Sequence, residues 1–162
     1  MTAARDAFVA RYGGIYEHSP WVAETVFGQP GTDSPEGLRA ALRAVVDAAD
    51  APRKLALLCA HPELACRQAD ALTQASQGEQ RGAGLDRCTA DEFEEFQRLN
   101  TAYRQKFGFP FIIAVKGLDR QAILAAFRTR IGNDPAAEFR TALEQVHRIA
   151  GFRLDALSAS DS

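Results

Sequence analysis

The chain has 162 residues, 46% of them hydrophobic and 25% charged, with 19 basic against 21 acidic side chains and a formal net charge of −2. A chain of this length buries roughly 70% of the surface its unfolded form exposes, so neither disulfides nor a metal are needed to form a core. There is no basic excess to neutralise a phosphate backbone and no apolar run near the ~20 residues that cross a bilayer, so neither nucleic acid nor a membrane is an expected partner. The amino end mixes Arg5, Asp6 and Arg11 with small residues instead of an apolar leader, which makes the cytoplasm the expected location.

Helical periodicity runs through most of the chain. A short helix is predicted over 5–12, and a further turn over 21–25 follows Ser19 and Pro20. Between Leu38 and Ala49 the apolar residues recur at steps of three and four; Ser34 is placed to cap that helix and Pro35 suits its first turn. The 51–60 segment is helical until Pro62, whose ring disfavours the α conformation at His61, so His61 is expected at a break. Thr89 followed by Glu92 is a capping-box pattern that opens a helix over 91–107. Two more helices are predicted, over 120–131 and 135–157, separated by the breaker Gly132-Asn133-Asp134-Pro135. With no alternating strands and no strand–helix repeat, the expected fold is all-α: one domain over 1–162, an irregular helical bundle.

One segment departs from the helical pattern. The run FGFPFIIAVKG (107–117) is almost wholly apolar and extended, with no partner strand, and its backbone amides need acceptors because a buried unpaired amide costs about 1 to 3 kcal/mol. Neighbouring groups can satisfy them, or a ligand bearing carbonyl or carboxylate oxygens can.

Three further features carry chemistry. His61, next to Pro62, puts an imidazole that titrates near neutral pH at a helix break, where it is either a structural histidine or a general acid or base. Ser76-x-x-Glu79 followed by Gln80 is either a helix cap or, because Arg81-Gly82-Ala83-Gly84 argues against a stable helix there, a polar stretch over a pocket. In the last helix, at 100° per residue, Arg153 falls within about 80° of Phe139 inside the apolar stripe, whereas Arg148 falls opposite and is expected to be solvated. A core-facing guanidinium either snorkels or requires a buried anion. Cys59, Cys66 and Cys88 have no C-x-x-C spacing and read as reduced packing thiols. His18, His61 and His147 share no metal-ligand spacing, so no metal is expected.

These pieces occur in an order that resembles the 2-oxo-4-hydroxy-4-carboxy-5-ureidoimidazoline (OHCU) decarboxylase family. The resemblance rests on GIYEHSPWVAE (14–24), His61-Pro62-Glu63-Leu64-Ala65, Ser76 with Glu79-Gln80 and Ala83-Gly84-Leu85, Asn100 to Tyr103, FGFPFIIAVKG, and Arg148-Ile149-Ala150 with Arg153-Leu154. It implies an all-α, cofactor-independent enzyme, commonly a homodimer, that converts the small-molecule substrate OHCU to (S)-allantoin in urate degradation. By the same resemblance His61 and Glu79 match catalytic positions, while Ser76 and Gln80 match substrate-binding neighbours and Pro62 holds the His61 turn. The resemblance also implies that backbone around Phe111, Ile112 and Ile113 faces the substrate ring and that Arg153, with Arg148 as the competing assignment, binds substrate. The sequence departs from the family pattern at Glu63, where Asp is usual, and at Cys66, where Gly is frequent. A non-catalytic helical module binding an allantoin-like or purine-derived ligand is the alternative, distinguished by binding without turnover.

Overall fold

Side-chain caps start most of the helices in the computed structural model, which describes residues 2–65 and 73–160. Ser34 accepts from the Gly37 amide at 3.0 Å to open α3 (Pro35–Ala48), and Asp50 accepts from Arg53 at 3.0 Å to open α4 (Ala51–Cys59). They follow α1 (Thr2–Tyr12) and α2 (Trp21–Val26). Thr73 opens α5 (Gln74–Gly82), and a 3-10 turn follows at Leu85–Arg87. The expected capping box opens α6 (Ala90–Phe107): Thr89 accepts from the Glu92 amide at 3.1 Å while the Glu92 carboxylate accepts from the Thr89 amide at 2.8 Å. Asp119 caps α7 (Arg120–Arg130), and Asp134 accepts from Ala136 at the start of α8 (Pro135–Ser160). There is no strand among the described residues, so the all-helical expectation holds. No described helix is long and apolar enough to cross a membrane.

Contacts divide the chain into two compact units. Met1–Ala60 with His147–Ser162 form the first, and His61–Val146 the second. In the first unit, α3 buries Leu38, Leu42 and Val46 at helical spacing, in a core that also contains Val22, Val26, Leu57 and Leu58. In the second, the core is aromatic. Tyr103 is fully buried and meets Phe109, Phe111 and Phe127 edge-on at 5.4 to 5.8 Å, while Phe111 stacks on Phe127 at 3.9 Å and 9°.

The thiol expectation is corrected at one position. Cys59 lies on the exposed side of α4 and packs in no core, because the helix turns Leu57 and Leu58 inward instead; Cys88 is half-buried and donates to the Leu85 carbonyl. Cys66 lies outside the described residues.

Candidate functional site

The α4 helix ends at Cys59, and the chain turns at His61 ahead of Pro62, as the proline requires. The His61 side chain is buried, 7% exposed, with its Nε2 shielded from solvent. The three residues after Pro62 are held by side chains from two helices. Gln80 of α5 donates to the Glu63 carbonyl at 3.1 Å and accepts from the Ala65 amide at 3.2 Å; Asn100 of α6 donates to the Leu64 carbonyl at 3.1 Å. Ala65 itself adopts φ +60°, a left-handed conformation that costs a non-glycine residue about 1 to 2 kcal/mol. Such a conformation persists where its surroundings over-determine it, and here both carbonyls before it and its own amide are bonded.

The helix doubted after Ser76 exists, and its cap is a different residue. Thr73 accepts from the Ser76 amide at 3.2 Å, which places Ser76 inside α5 rather than at its start. Gly78 and Gly82 weaken this helix intrinsically, but Gln80 ties it to the His61 turn, and that tertiary anchoring outweighs propensity. Ser76 and Gln80, four residues apart, form the buried face, with Glu79 half-buried beside them.

The 107–117 segment is a strap across the second unit. Gly108 ends α6 at φ +83°, donating its amide to Arg104. Phe109, Phe111 and Ile112 are buried and Ile113 is half-buried. Side chains answer part of the question of the strap's backbone groups: Arg130 donates to the Ile112 carbonyl at 2.7 Å, and Gln145 accepts from the Ala114 amide at 2.9 Å. Arg130 also lies over the Phe111 ring at 4.4 Å and pairs with Glu138, its Nε at 2.8 Å and Nη2 at 2.6 Å from Oε2. The same carboxylate accepts from the Tyr103 hydroxyl at 2.5 Å and, through Oε1, from Asn133 at 3.0 Å. Sequence reasoning missed this cluster. The available signal was Glu138 on the flank of the α8 apolar stripe, where an acid needs a cation.

Burial first, and then the Glu138 carboxylate, push the Tyr103 phenol well above its ordinary value. The unfolded chain therefore loses this proton first, so the stabilisation is complete below about pH 10 and falls as pH rises above that value. Urea titrations between about pH 9 and about pH 11 should show wild-type stability declining more steeply than that of Tyr103→Phe. Equal slopes would show that Tyr103 ionises alike in both states.

Arg153 belongs to the first unit, and the other predicted site residues belong to the second. It is 8% exposed, as its place on the stripe implies, and its anion is internal. Nη1 donates to Glu17 Oε1 at 3.1 Å and to the Gly14 carbonyl at 3.1 Å, with Glu17 itself 1% exposed. Arg148 is exposed, as expected. Two residues before Ile149, His147 is buried with Nδ1 2.7 Å from the Tyr16 hydroxyl and Nε2 3.0 Å from Asp47 Oδ1. These contacts fix the 14–19 segment against α8. Within the 14–24 motif, Glu17 is the buried partner of Arg153 and Tyr16 that of His147.

An all-helical chain with a clamped histidine turn and an apolar strap has close counterparts among solved structures. It superposes on the crystal structure of (S)-allantoin synthase with a TM-score of 0.76 at 37% identity, covering 94% of this chain and 50% of that one, so it spans half of the synthase chain. It shares its fold with a crystal structure of OHCU decarboxylase in the presence of (S)-allantoin, at a TM-score of 0.74 and 23% identity, covering 91% of this chain and 96% of that one. The OHCU decarboxylase family model matches residues 1–155, and the chain belongs to that family. A 2-oxo-4-hydroxy-4-carboxy-5-ureidoimidazoline decarboxylase of Haloferax volcanii is 46% identical over 149 residues, which are 92% of this chain and 88% of the relative.

Proposed function

We propose that this chain is a carboxy-lyase that converts OHCU to (S)-allantoin and CO2 in urate degradation, acting as one domain, in the cytoplasm and as a homodimer. The observation that carries this reading is the identity to the Haloferax volcanii decarboxylase along nearly the full length of both chains. The turn holding a buried imidazole at His61 gives it a chemical centre.

The substrate's own connectivity sets what the site must do. The carboxylate and a hydroxyl share one ring carbon, and the ureido group stands on the next. When the C–C bond to the carboxylate breaks, its electron pair moves into the adjacent imidazoline C=N, so the ring is the electron sink. The hydroxyl proton is then lost as that carbon becomes a carbonyl, the ureido-bearing carbon gains a proton, which creates the stereocentre, and the ring nitrogen that received the pair takes up one proton from solvent. His61 takes the first proton and delivers one to a single face of the ring. Glu79 stands near the leaving carboxylate and repels it, a strain relieved as CO2 departs. Ser76 and Gln80 line the substrate, Pro62 fixes the direction of His61, backbone at Phe111, Ile112 and Ile113 faces the ring, and Arg153 holds substrate oxygens.

Glu79→Gln tests the strain component. Relief of about 1 to 3 kcal/mol of ground-state repulsion should lower kcat about 10- to 100-fold while KM stays constant or falls. Steady-state kinetics on freshly generated OHCU measure both constants. An unchanged kcat would remove Glu79 from the reaction.

A further inference from the structure

We propose that Asn100 is a positioning residue for His61, acting from α6 through its bond to the Leu64 carbonyl. This rests on the reading of His61 as the acid–base group and adds a residue to it. The turn 63–65 is fixed at three backbone groups, Glu63 O, Leu64 O and Ala65 N, and Asn100 supplies the bond to the one that Gln80 does not reach. Gln80 comes from α5 and Asn100 from α6, so the turn is gripped by two helices and cannot pivot about either bond set alone. The grip stands against the positive φ of Ala65, a conformation the backbone would leave if released.

The state of the Asn100 side chain argues that this one bond is why an amide is there. Asn100 is 6% exposed, its Nδ2 is committed to Leu64, and its Oδ1 is shielded from solvent with no partner among the described residues. A buried acceptor left in this way counts against the amide as a packing choice, and leucine of similar size would remove that defect. What leucine cannot do is hold Leu64 O. Delivering a proton to one face of a flat ring requires the imidazole to be held to a fraction of an ångström, and a displacement of about 1 Å costs about 100-fold in rate.

The test compares wild type, Asn100→Leu and His61→Ala on freshly generated OHCU, measuring kcat, KM and the enantiomeric excess of allantoin, with circular dichroism and thermal melting on each protein. The enzyme concentration, kept below that of substrate, is set high enough that spontaneous decay contributes little product. The proposal expects Asn100→Leu to keep its helical spectrum and its melting temperature within a few degrees, to lose about 10- to 100-fold in kcat with little change in KM, and to yield allantoin of reduced enantiomeric excess. Should the leucine variant fail to fold, Asn100→Ser, which shortens the side chain without adding volume, carries the same comparison. Wild-type kcat and full (S) selectivity in a folded Asn100 variant, or a loss confined to KM, overturn the proposal while an inactive His61→Ala leaves the underlying reading standing. An active His61→Ala removes that reading, and the positioning role with it.

Discussion

Replacing His61 by alanine is expected to cut stereoselective decarboxylation about 10²- to 10⁴-fold, the range that positioned acid–base groups contribute. The imidazole lies in a turn rather than within a helix, and the turn is held through its backbone by Gln80 and Asn100, so the far-UV spectrum should not change. Residual product should approach a racemate, because no group then delivers the proton to a chosen face. Chiral chromatography of allantoin beside a CO2-release assay measures both effects. Full activity with full (S) excess in this variant would show that another group moves the protons.

The second large effect is on stability. Glu138→Ala strips the partner from Arg130, leaves the Tyr103 hydroxyl without its acceptor and frees Asn133, all in a region where Glu138 is 0% exposed. Breaking a buried pair by removing one member costs about 3 to 5 kcal/mol, because the remaining charge is stranded. Arg130 is also the group that holds the Ile112 carbonyl, so the strap loosens together with the core. Urea unfolding followed by circular dichroism should show the midpoint falling with little change in slope. Replacing both members, as Arg130→Met with Glu138→Leu, should recover much of the loss, since an apolar pair of similar volume carries no desolvation cost. A loss below about 1 kcal/mol in Glu138→Ala would show that water or rearrangement already screens this pair.

Elements with local signals could be read from the sequence. The caps at Ser34 and Thr89, the proline after His61 and the breaker at 132–135 each act within a few residues, and each sits where expected. The α5 helix was not legible because Gly78 and Gly82 depress local propensity, and what holds it is a contact from Gln80 to a turn 15 and 17 residues away. Arg153 shows the limit most plainly. Its angle on α8 revealed that it is buried, but its internal anion is Glu17, 136 residues upstream, which periodicity cannot pair with it. Likewise the strap was visible as an apolar anomaly, whereas Arg130 and Gln145, which satisfy two of its backbone groups, looked like ordinary surface residues of helices.

The most direct measurement of the central claim is the optical activity of allantoin formed when the purified protein meets OHCU freshly generated from urate. The account predicts CO2 release well above the spontaneous rate and a product that is (S)-allantoin alone. Racemic allantoin appearing at the spontaneous rate, from protein whose helical spectrum is intact, would contradict it.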